Sequence, residues 1–278
     1  KTARKMWQGV EGAAPIIAIT NGVHQATWQD QRIREVWEGG GDLWEAHQLL
    51  KKELLDFIRR ETGYQLSKDI LTIGFARRAA AYKRSELIFR DLDFIKYLLK
   101  KRKLQLVFSG KAHPDDYEGK KIIQELVRMD RSYGEAVVFL ENYDMETARY
   151  LVRGSDVWLN NPRRPLEASG TSGMKAAMNG VLNVSVVDGW VAEGPEHGIS
   201  GWLLDEVLEE ELPHEDQDAY DLRALFQVLN SEIIPIYYFD RSRWVGMMRA
   251  SIEMAQSKFT TRRMFRQYWQ QMYTKERE

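Results

Sequence analysis

The chain has 278 residues, room for one large domain or two modest ones at ~150 residues each, and its 44% apolar content can build a substantial core. Lys and Arg number 40 against 41 Asp and Glu, and the formal charge of -1 leaves no bulk electrostatic case for binding nucleic acid or an anionic membrane. Cysteine is absent, so there is no disulfide framework, thiolate nucleophile or Cys-ligated zinc, and no apolar run approaches the ~18 residues of a membrane span.

Residues 1–64 read as a leading segment that ends in a helix over 43–62, entered from Gly39-Gly40-Gly41 and closed by Gly63. The basic start, with Lys1, Arg4 and Lys5, runs only into a short apolar stretch at 14–19, which makes no convincing signal peptide; the cytoplasm is the expected compartment. An opening on Lys1 rather than Met leads us to expect a processed chain or an excerpt of a longer one. From 65 to 204, short β-branched runs alternate with helix-period stretches. Strands are expected at 70–75, 104–109, 136–140, 156–159 and 182–187, with helices at 85–101, 116–129 and 145–152. That alternation predicts an α/β, Rossmann-like parallel sheet domain. Residues 205–278 read as an acidic connector over 205–218, its Glu206 to Glu211 run a solvated face, followed by helices at 224–234, 241–256 and 261–273.

Ligands of an open parallel sheet collect where loops leave the carboxyl ends of the strands, so chemistry is expected in 76–84, 110–114, 141–143 and 160–175. Glu167-Ala168-Ser169-Gly170-Thr171-Ser172-Gly173-Met174-Lys175 is a small-residue loop running into a helix, open to close approach of a phosphate; a plain strand-to-helix turn accounts for the same pattern. No Walker sequence or Gly-x-Gly-x-x-Gly fingerprint is present. Arg77, Arg78, Lys83 and Arg84 place four cations in eight residues after the first strand. Arg78 and Lys83 could converge on one phosphate, or the cluster could be a solvated helical turn, although cations at a helix start oppose the macrodipole. The five histidines show no metal spacing, and no metal is expected.

Taken in this order, the segments resemble the C-terminal half of the α-glucan phosphorylases, the glycogen, starch and maltodextrin phosphorylase family. The family pattern Glu-Ala-Ser-Gly-Thr-x-x-Met-Lys is met from Glu167 to Lys175. Tyr82-Lys83-Arg84 preceded by Arg78, Thr20-Asn21-Gly22 with Trp28, Gly110-Lys111-Ala112 and Phe139-Leu140-Glu141-Asn142-Tyr143 also fall in the family's order. Arg77, Ala80-Ala81 and Ser172-Gly173 depart from its better-known members and suit the shorter bacterial and archaeal branch.

The resemblance implies the second Rossmann-like half of a GT-B glycosyltransferase fold, with pyridoxal 5′-phosphate attached at Lys175 and reversible phosphorolysis of an α-1,4-glucan to glucose 1-phosphate. It implies that Arg77, Thr171 and Ser172 hold the cofactor phosphate, that Trp28 and Tyr143 pack near the cofactor, and that Arg78 and Lys83 are the catalytic cations beside Lys175. Asn21, Tyr82, Glu167, Ser169 and Gly170 would bind the glucosyl hydroxyls. The implied partners are glucan, inorganic phosphate and an N-terminal half of the same enzyme, with a homo-oligomer of the full enzyme compatible. Two other readings stand beside this one: a nucleotide-sugar-dependent GT-B glycosyltransferase, and a glucan- or cofactor-binding module without turnover.

Overall fold

The computed structural model describes residues 2–12, 14–204 and 213–274. Six strands, β1 Leu71–Ala76, β2 Leu104–Ser109, β3 Val137–Leu140, β4 Val157–Asn160, β5 Leu182–Ser185 and β6 Gly201–Leu203, form one parallel sheet in the order β3-β2-β1-β4-β5-β6. Strands β1 to β5 are buried along their whole length, because helices cover both faces and leave no solvated side to alternate towards. The fold is the expected α/β, Rossmann-like one.

The two faces can be told apart by the period-two alternation of the strands. Ile73, Phe75, Leu106, Phe108, Val157 and Leu159 pack into one core with residues of the helices Tyr117–Tyr133, His214–Val228 and Arg241–Lys258. Ala76, Val107, Val138 and Trp158 pack into a second core beneath the helix Met145–Gly154. The helix Leu43–Thr62 serves both: Leu43 and Leu50 join the first core, Leu54 and Ile58 the second. Its N-cap is Asp42, whose carboxylate accepts from the Glu45 amide at 3.0 Å, and its chain leaves through Gly63 at φ +80°. Thermal unfolding of Asp42→Ala is expected to register a loss of about 1 kcal/mol; an unchanged midpoint would show that the cap contributes nothing.

Several elements differ from the sequence reading. The stretch expected as one helix over 85–101 is a 3₁₀ turn, Leu87–Phe89, followed by the helix Leu92–Lys100, because the Asp91 carboxylate accepts from the Phe94 amide and starts a new helix there. Strand β6 was not expected: three residues opening on Gly201 give no apolar run to read. The short helices Thr2–Trp7, Gln25–Trp28 and Gln31–Gly39 were not expected either. The helix expected from 224 already begins at His214, so the end of the expected connector is helical; its residues 205–212, with the Glu206 to Glu211 run, lie outside the described residues. That helix widens into a π turn at Leu229–Ile233, two residues ahead of Pro235, whose ring cannot accommodate the ordinary i−4 carbonyl. No described helix is long and apolar enough to cross a membrane, and no group of His, Asp and Glu among the described residues is placed to hold a metal ion.

A buried ion network ties the sheet to the C-terminal helices. Arg84, fully buried and in the left-handed region at φ +52°, reaches Asp218 at 2.8 Å and Asp221 at 2.6 Å. Burial alone raises the Asp218 carboxyl, but the hydrogen bonds from Arg163 and Arg84 outweigh it and hold the pKa at about 2. An unfolded aspartate titrates near ~3.9, so the stability that Asp218 adds is complete above that pH and is lost as the pH falls through about 2. Urea midpoints are therefore expected to fall between pH 4 and pH 2 with a shallower slope in Asp218→Asn; the same slope in both chains would remove Asp218 from the acid transition.

Candidate functional site

Strand order fixes where a ligand can enter. The connections from β1 lead through β2 to β3 on one side, and those from β4 lead through β5 to β6 on the other, so the chain diverges between the adjacent strands β1 and β4. A crevice opens at the carboxyl ends of such a pair. The two segments that leave there are 77–84 after β1 and 161–175 after β4, which carry most of the candidate residues.

Arg77 and Lys83 meet on one carboxylate. Arg77 Nη2 donates to Glu167 Oε2 at 2.9 Å, and Lys83 Nζ donates to the same oxygen. All three side chains are at least nine-tenths buried, and the Lys83 ammonium also lies 4.5 Å from the Tyr82 ring centroid. Two cations therefore face one anion in a place with little water. Arg77 Nη1 is buried with no hydrogen-bond partner, and Glu167 Oε1 has none among the described residues, so one donor and one acceptor stand ready for a ligand. Tyr143 is close enough to Arg77 to feel its charge; burial raises the phenol and Arg77 partly opposes this, which leaves it a neutral donor.

The loop from Glu167 to Lys175 is shaped by its glycines and by the segment after β5. The Glu167 amide donates to Asp188 Oδ2 at 2.8 Å, and the Trp190 amide to the Ser169 carbonyl at 2.9 Å. Gly170 adopts φ +76°, a conformation that strains any residue with a side chain, and a Cβ on Gly173 would meet Asn183 Oδ1 at 2.5 Å and Trp190 Cζ2 at 2.7 Å, which leaves that position no room for one. The helix Ser172–Ala177 starts here, earlier than the sequence suggested, which puts Thr171 at its N-cap and Ser172 in its first turn. The Ser172 hydroxyl accepts from Trp158 Nε1 at 3.2 Å.

Lys175 projects from that helix, half-buried, with Nζ 3.7 Å from the Trp28 ring centroid. Burial holds its amine below the usual lysine range, which raises the uncharged, nucleophilic fraction at neutral pH. Trp28 is brought in by the segment 20–28, which is stitched to the C-terminal helices: the Val23 amide donates to the Phe259 carbonyl, and Arg263 donates to the carbonyls of Thr20 and Asn21. Beneath them Met174, Met178, Trp190, Met254 and Phe259 form a third core.

The structure thus gathers Arg77, Tyr82, Lys83, Glu167 and Gly170 in one cluster, with Tyr143 beside it, and pairs Lys175 with Trp28 a few residues along the same loop. Arg78 and Asn21 are exposed, and no partner of either side chain is found among the described residues. The sequence reading missed Asp188 and Trp190; the turn-forming Asp188-Gly189 pair was the available signal. Among the histidines, His47 is buried against Asp156 at 2.8 Å, at the amino end of β4 and away from this edge.

A family model described as carbohydrate phosphorylase matches residues 26–197. Over 98% of the chain the sequence is 40% identical to a maltodextrin phosphorylase of Thermococcus litoralis, of which it covers 37%. A glycogen phosphorylase of Aquifex aeolicus is 38% identical over 99% of the chain, which covers 46% of it. A third relative, a glycogen phosphorylase of Mycobacterium tuberculosis, is 36% identical over 97% of the chain, which covers 36% of that protein. The chain thus spans less than half the length of these relatives.

Proposed function

The chain belongs to the carbohydrate phosphorylase family, and we propose that it is the cofactor-holding half of an α-1,4-glucan phosphorylase, with pyridoxal 5′-phosphate carried on Lys175. The observation that supports this reading is a half-buried amine with a lowered pKa on the same loop that meets a buried guanidinium with an unpartnered nitrogen. A phosphate ester bearing an aldehyde suits that pair: an uncharged amine for the aldehyde, and charge-assisted donors for the ester. When bound, the cofactor supplies a phosphate group that can donate and accept a proton near neutral pH.

Each residue then has a task set by its chemistry. Arg77, with the backbone amides at Thr171 and Ser172, holds the ester phosphate. Lys83 and Arg78 hold inorganic phosphate beside it, since two oxyanions at close range repel strongly unless fixed cations offset them. Glu167 accepts from hydroxyls of the non-reducing-end glucosyl unit through Oε1, and Asn21, Tyr82, Ser169 and Gly170 satisfy the remaining hydroxyls. Trp28 and Tyr143 wall the cofactor and keep water from the amine. Inorganic phosphate attacks the anomeric carbon, the glycosidic bond breaks as the proton of the phosphate passes to the departing O4 of the shortened glucan, and glucose 1-phosphate leaves. The glucan would lie between this chain and the first half of the enzyme, so the 278-residue chain alone is expected to release little glucose 1-phosphate from maltodextrin.

Comparing pyridoxal 5′-phosphate with pyridoxal, which lacks the ester, tests the reading. Two charge-assisted contacts at about 1.5–3 kcal/mol each predict at least ~100-fold tighter binding of the phosphate ester by absorption titration. Equal affinities would mean that no anion cradle exists beside Lys175.

A further inference from the structure

Asn179 lies just beyond the helix that carries Lys175 and is fully buried. Its carboxamide uses both donors and its acceptor. Oδ1 accepts from the Asp30 amide at 2.8 Å, while Nδ2 donates to the Trp28 carbonyl at 2.9 Å and to the Lys175 carbonyl at 2.8 Å. The two carbonyls it grips belong to the two residues whose side chains meet, the Trp28 ring and the Lys175 amine.

The setting makes that grip consequential. Trp28 ends a helix of only four residues, Gln25–Trp28, too short to hold its place by its own hydrogen bonds. Besides packing against the second and third cores, it is tethered to other elements by Asn179, by Arg153 at 3.3 Å to the same carbonyl, and through its neighbour Gln29, whose Nε2 donates to the Met178 carbonyl at 2.7 Å. Of these, Asn179 alone also touches the backbone of Lys175. Aspartate has the same shape but lacks the N–H donors, leucine has neither donor nor acceptor, and glutamine is a methylene too long for a packed interior.

We propose that Asn179 is a positioning residue, which fixes the Trp28 ring against the Lys175 amine and so sets the approach of that amine to the cofactor aldehyde. This rests on the cofactor reading above. Asn179 touches no reacting atom itself, and its effect falls on the capture of the aldehyde rather than on the grip on the ester phosphate, which belongs to Arg77.

Two ligands separate the effects: pyridoxal 5′-phosphate, whose capture at Lys175 is followed by absorbance and by borohydride trapping, and pyridoxine 5′-phosphate, which has the ester but no aldehyde. In Asn179→Leu and the isosteric Asn179→Asp, the capture rate is expected to fall about 10- to 100-fold, the scale of an ångström-sized misplacement, with pyridoxine 5′-phosphate affinity kept within about twofold. Gln105→Leu is the control, since it removes another buried amide, one that bonds Ser67 and Thr72 at the opposite end of the strands; it should leave capture unchanged. Wild-type capture rates in folded Asn179 variants overturn the proposal while leaving the cofactor reading intact. Parallel losses for both ligands, or failure of both variants to fold, also overturn it, because Asn179 would then be a general determinant of the fold. No capture by the wild-type chain overturns both the proposal and the cofactor reading.

Discussion

Arg84→Met is expected to destabilise the chain by about 3–5 kcal/mol, the usual consequence of removing one partner from a buried ion pair. The Arg84 guanidinium makes four donations: Nε to the Asn161 carbonyl at 2.7 Å, Nη2 to the Pro162 carbonyl at 2.9 Å, and the ion pairs with Asp218 and Asp221. Methionine fills much of the volume and restores none of these. Asp218 keeps Arg163 and Arg90, and Asp221 keeps Arg164, but both carboxylates remain almost wholly buried and lose their most deeply buried partner. Arg84→Lys should rescue little, since an ammonium cannot span two carboxylates and two carbonyls with a planar fork. Arg90 makes the comparison: its side chain is 43% exposed, and Arg90→Met is expected to cost under about 1 kcal/mol. Urea unfolding of the three variants gives the ranking, and equal midpoints for Arg84→Met and Arg90→Met would refute it. The network also matters to the site, because it clamps the residue after Lys83 against the segment that leads to Glu167.

Arg77 and Arg78 are neighbours in sequence and should separate in function. Arg77→Met is expected to weaken pyridoxal 5′-phosphate binding by about 1.5–3 kcal/mol, or roughly 10- to 150-fold, since it deletes a buried charged donor. Arg78→Met should leave cofactor affinity within about twofold, because Arg78 points to solvent, and should instead weaken the response to inorganic phosphate in the complete enzyme. Absorption titration and phosphate KM read the two effects. Interchanged results, with Arg78 governing the cofactor, would reverse the assignment of the two anions.

How much could be read in advance depended on whether the cause was local. Strands such as Leu104–Ser109 were legible because burial on both faces writes a mostly apolar run, broken here only by Gln105 and the closing Ser109, whereas Gly201–Leu203 pairs only because β5 lies beside it. The break at Asp91 was hidden in a continuous helical period, since a capping aspartate and an ordinary polar position look alike without the third dimension. The loop from Glu167 to Lys175 stood out by its small residues, and the cations after β1 stood out by their density. That Arg77 and Lys83 share Glu167 could not be read, because these partners are 90 and 84 residues apart and meet through strand order alone. Asn179 was invisible for the same reason: its link to Trp28 spans 151 residues, and an asparagine after a helix reads as a turn former.

Borohydride reduction of the chain after incubation with pyridoxal 5′-phosphate, followed by peptide mass mapping, puts the attachment at Lys175 to trial. A single phosphopyridoxyl group on the peptide that contains Lys175, lost in Lys175→Arg, is the expected result. Label scattered over surface lysines, or no label at all, would contradict it.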